Sequence, residues 1–69
     1  MAIAVICYET GDEFAYFETR EEAIKDILER EADDRRGEVY EEGFYGVRDV
    51  SDPNGWDERC VNGELVQYH

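Results

Sequence analysis

Histidine is almost missing from this 69-residue chain: one occurs, and it is the last residue, His69. Chain ends are where ordering is hardest, so imidazole-based general acid–base chemistry is not expected, nor is a Cys/His nucleophile pair. Cysteine is scarce as well. Cys7 and Cys60 lie in apolar, strand-like runs, where a free thiol behaves as a small buried hydrophobe. A bridge between them on neighbouring strands stays open as the alternative. No Cys and His spacing fits zinc, and no Gly-rich loop precedes a helix as a phosphate cradle requires. Residues 52–57 (DPNGWD) carry acids around a turn but lack the alternating ligands and closing Glu of a calcium loop. Paired carboxylates abound, yet a chain this small cannot wall a sugar cleft around them. The expectation is therefore no metal, no cofactor and no catalysis.

No apolar run approaches the ~20 residues of a membrane span. Residues 2–7 (AIAVIC) follow Met1 without the basic stretch that opens a secretory signal, so the expected location is the cytoplasm. The most telling deficit is positive charge. Seven Lys and Arg, of which Lys25 is the one lysine, face nineteen Asp and Glu, for a net charge of −12. Direct binding to nucleic acid or to an anionic membrane needs a basic patch and is not expected. A basic partner is the natural complement. Self-repulsion destabilises a compact chain, so stability gives no reason to accumulate such charge.

What is present is enough for one small core: 42% apolar residues, with one Trp, three Phe and five Tyr. One domain spanning residues 1–69 is expected, without repeats or linkers. Residues 2–8 (AIAVICY) read as a buried strand with Ile3, Val5 and Cys7 toward a helix. A turn at Thr10, Gly11 and Asp12 leads to a second strand, 13–18, with Phe14 and Tyr16 on one face and Ala15 and Phe17 on the other. Residues 38–42 read as a short extended piece or loop. A third strand is expected over 45–50, with Tyr45, Val47 and Asp49 on one face. After the turn 51–55, two strands, 56–61 and 64–68, flank Asn62-Gly63, a strong hairpin signal. The order ββαβββ predicts an α+β fold: an antiparallel sheet of four to five strands with one amphipathic helix on one face.

The helix, 19–37 (TREEAIKDILEREADDRRG), organises the chain. Thr19 and Glu22 have capping-box spacing; Arg35 and Arg36 suit the C-terminal dipole, and Gly37 is expected as a left-handed cap. Ala23, Ile24, Ile27, Leu28 and Ala32 share an apolar side, with Glu31 near its middle, which suggests a looser last turn. Opposite them Glu22, Asp26, Glu29 and Asp33 form a stripe of carboxylates. Further acids, Asp12 and Glu13 at the first turn and Glu38, Glu41 and Glu42 after the helix, extend the candidate surface. Asp49, Asp52, Asp57 and Glu58 cluster around the Pro53 turn. Tyr40, Phe44, Tyr45 and Trp56 are candidate aromatic anchors.

Three readings account for these acids. Rows of carboxylates on a rigid mount can imitate the phosphates of duplex DNA and occupy a basic groove. A generic acidic interaction or antirestriction module makes the same contacts without competing with DNA. A solvated or halophile-type surface needs no partner. In size, charge, low cysteine content and expected architecture the chain resembles the small phage-encoded anti-CRISPR proteins, most closely the DNA mimics that inhibit type I systems. No diagnostic motif carries that resemblance. It implies a monomeric, non-catalytic inhibitor whose partner is a basic DNA-binding surface of a CRISPR effector subunit.

Overall fold

The computed structural model describes residues 2–52 and 54–67. Pro53 of the expected turn, Tyr68 of the last expected strand and His69 lie outside the described residues. The elements are β1 (Ile3–Cys7), β2 (Glu13–Phe17), α1 (Arg20–Arg36), β3 (Tyr45–Asp49), β4 (Glu58–Val61) and β5 (Glu64–Gln67). The five strands form one antiparallel sheet in the order β2-β1-β3-β4-β5, and α1 crosses one face of it. The α+β order ββαβββ is as the turn signals and hydrophobic periods predicted. Trp56 and Asp57 precede β4 rather than open it.

Strand β1 is the centre of the fold, paired on both sides and buried at every position. Its odd residues Ile3 and Val5 join Val47, Tyr45, Cys60, Ala23 and Ile27 in the core beneath the helix, with Phe17, Phe44 and Leu65 packed at its margin. Cys7 and Cys60 are both buried and free. β3 lies between their strands, which puts them two strand spacings, about 9.5 Å, apart, beyond the roughly 7 Å a disulfide spans.

The even residues Ala4 and Ile6 face away from the helix and are nevertheless fully buried. One side chain explains much of this. Arg48 on β3 reaches Glu13 on β2 and the Gly11 carbonyl, 3.2 Å away, so it must cross β1, which runs between them. It also makes a bidentate pair with Asp57 (2.9 and 3.0 Å). This geometry combines charge with fixed direction.

A bulge between Val5 and Ile6 pairs Ile6 with Glu13 and leaves Phe14 as the extra residue. Phe14 therefore turns toward the helix side, 5.8 Å edge-on from the Tyr45 ring and beneath Arg30. The expectation that Phe14 and Tyr16 share a face fails here, because a bulge breaks the two-residue alternation.

Candidate functional site

The helix begins as its cap predicts: Thr19 Oγ1 accepts from the Glu22 N–H at 3.2 Å. The reciprocal half differs, since the Glu22 carboxylate accepts from the Thr19 hydroxyl. At the other end Gly37 is not left-handed (φ −86°). That conformation falls to Glu38 (φ 60°), and the bonds Val39 N–H to Asp34 O and Glu38 N–H to Arg35 O close a Schellman motif around it.

The buried side of α1 is rotated from the side defined by its apolar residues. Ala23, Ile27 and Glu31 face the sheet, whereas Leu28 is 47% exposed and Ala32 is exposed. Tyr45 causes this displacement: its ring is buried at 8% exposure and its hydroxyl donates to Asp34 Oδ2 at 2.9 Å. That contact draws the Asp34 edge of the helix onto β3. Burial and the Asp34 bond push the Tyr45 hydroxyl up to about 12.

Three of the four stripe residues, Glu22, Asp26 and Glu29, line one open hollow of about 230 Å³ with Phe17 and Lys25. The stripe thus borders the β2 flank rather than standing directly opposite the sheet. Its charge is also interrupted. Asp26 accepts from Arg30 Nε at 2.6 Å, and Asp33 is paired with Arg36. Among the described residues Glu29 makes no ion pair, and Glu22 meets only Thr19.

The remaining candidate acids divide in the same way. Glu13 accepts from the Tyr16 hydroxyl (2.7 Å) and pairs with Arg48 (3.4 Å) on the face away from the helix, so it does not extend the stripe. Asp12 is exposed in the β1–β2 turn, where its carbonyl accepts from the Cys7 N–H. Glu38 and Glu41 are exposed beyond the helix, and Glu42 accepts from Asn62 Nδ2 at 3.4 Å across the β4–β5 turn. Chain direction places these three turns at the C-terminal end of α1, so Glu38, Glu41 and Glu42 continue the helix surface there.

The aromatic anchors need correction. Tyr45 is buried, Phe44 packs on the core, and Tyr40 is half-buried under Arg35. Trp56 is 62% exposed, and Phe14, Tyr16 and Val39 are exposed too.

Positive charge is paired within the chain almost throughout. Arg20 pairs with Glu58 (2.9 Å), Arg30 with Asp26, Arg36 with Asp33, and Arg48 with Asp57. Arg35 and Arg59 lie over the rings of Tyr40 and Tyr8, at 4.2 and 4.5 Å. Lys25 is the one cation without such a contact among the described residues. No group of three or more His, Cys, Asp or Glu among the described residues is placed to hold a metal ion. Among the described residues no helix is long and apolar enough to cross a membrane.

Fold and surface together define a small α+β domain whose arginines are committed to contacts within the chain and whose unpaired carboxylates, Glu31 apart, face outward. No family model, curated protein or solved structure matches the chain.

Proposed function

We propose that this protein is a non-catalytic inhibitor that mimics DNA. As a monomer in the bacterial cytoplasm, it would occupy a basic DNA-binding surface of a CRISPR–Cas effector complex, in the type I class its resemblance implies, and block target-DNA binding. The observation that carries the reading is the one-sided use of charge. Six arginines are tied to carboxylates or aromatic rings, leaving Glu22, Glu29, Glu38, Glu41 and Glu42 unopposed on one helix and the loop that continues it. A rigid acidic surface associates quickly with a basic groove and competes with its ligand by occupancy. The pairing of Asp26 and Asp33 supports a second reading, a generic acidic interaction module, because it breaks the even row of charges that imitation of a phosphate backbone calls for.

The test is capture of a partner from a host carrying a type I system, followed by elution with duplex DNA. Release by DNA, and loss of at least about a hundredfold in affinity when Glu22, Asp26, Glu29 and Asp33 are all changed to Lys, is expected of a mimic. A partner retained against DNA selects the generic module. Undiminished inhibition by a folded quadruple variant removes the stripe as the site.

A further inference from the structure

The flank of α1 opposite the stripe carries a second feature. A groove of about 520 Å³, within the range of ligand-binding clefts, runs between α1 and the β4–β5 turn. It is lined by Leu28, Glu31, Ala32, Arg35, Arg36 and Asn62. Glu31 is 4% exposed, and its Oε2 is sealed from solvent with no hydrogen-bond partner. Such a carboxylate is costly to bury unless something pairs with it.

The neighbouring arginines do not pair with it. Arg35 holds its guanidinium over Tyr40, and Arg36 holds its own on Asp33, so both contribute stems to the groove while their charges are engaged elsewhere. The other groups around Glu31 give no cation: Asp34 on its own helix, Glu42 on the following loop, Tyr45 on β3 and Cys60 on β4.

We infer that this groove receives an arginine side chain of the basic partner, its aliphatic stem against Leu28 and Ala32 and its guanidinium on the Glu31 carboxylate, which turns out into the groove to meet it. The inference deepens the proposed function and rests on its basic partner. Apolar walls with one carboxylate suit a long cation whose stem also needs cover. Guanidinium, planar and weakly hydrated, loses less than ammonium on entering such a site. Burial also makes this contact less sensitive to salt than the exposed stripe.

The experiment titrates carbon-13-labelled protein with acetyl-Gly-Arg-Gly-amide and with the uncharged citrulline analogue, following the Glu31 carboxyl and Leu28 methyl resonances. Saturable shifts with the arginine peptide only, weakened about tenfold or more in Glu31→Gln but within about twofold of wild type in Glu22→Gln/Glu29→Gln, are expected. An adventitious ion pair at the surface would instead move the Glu22 and Glu29 carboxyls and leave Glu31 unchanged, which overturns the inference. So does equal binding of the citrulline peptide or of Glu31→Gln. Because the peptide replaces the partner, failure here leaves DNA-competed capture intact, and failure of that capture leaves this titration readable.

Discussion

Glu31 is where a single residue departs furthest from its expected environment. Periodicity placed it amid apolar neighbours and suggested a looser last turn; the turn after it is indeed exposed apart from half-buried Asp34, but Glu31 itself is buried. Burial raises its pKa, with Asp34 and Glu42 adding to the effect and Arg35 opposing it. A carboxyl whose folded pKa is raised contributes fully to stability below its unfolded value, about 4.3, and loses that contribution as pH rises through the folded value. Glu31→Met, which removes the orphaned oxygen and keeps the length, should therefore stabilise the protein by about 1–3 kcal/mol at neutral pH. The advantage should shrink as pH falls and the buried carboxyl takes up its proton. Urea midpoints across that range check both the size and the sign. Glu38 gives a simpler case. Its left-handed backbone favours glycine, and its charge stands at the negative end of the helix dipole. Glu38→Gly should raise stability by about 0.5–1 kcal/mol in the same assay.

At the scale of elements, the helix start is local chemistry and was legible. Thr19 caps as its spacing with Glu22 indicates, and Thr19→Ala should cost about 1 kcal/mol in urea unfolding. The face that the helix buries was only partly legible. Apolar residues define a side, but Tyr45, eleven positions beyond Asp34, decides the rotation by pulling that edge onto the sheet. Removing this bond in Tyr45→Phe leaves Asp34 half-buried without its donor and should cost about 0.5–1.5 kcal/mol. Strand β2 shows the same limit. Alternation predicts its faces until the bulge at Phe14, and a bulge depends on what the neighbouring strand requires.

For the whole molecule, the surplus of negative charge sets behaviour in solution. Screening relieves self-repulsion, so added salt should raise the thermal midpoint while weakening any complex with a basic partner. Calorimetry and binding measured over one salt series would show these opposite slopes. The circular dichroism spectrum should remain native at low salt. Unfolding there would favour the solvated, halophile-type surface over a binding role. A complex insensitive to salt would point to the exposed Val39 and Trp56 as an apolar interface instead.

The sequence by itself determined the element order, the helix cap, the Asn62-Gly63 hairpin and the net charge, because each rests on periods and pairings within a few residues. Tertiary structure alone decided which charges are free. Half of the stripe is the exception, because Arg30 and Arg36 neutralise Asp26 and Asp33 at i,i+4 and i,i+3 spacing within α1, a pairing already written in the sequence. Arg48 takes Glu13 out of the acidic surface from a strand two places away in the sheet, and the same crossing covers Ala4 and Ile6. Glu31 acquires its groove because the β4–β5 turn comes to lie beside Leu28. A count of acids is a property of composition, whereas an unopposed carboxylate is a property of distance, and beyond one turn of helix distance is set only when the sheet and helix are packed.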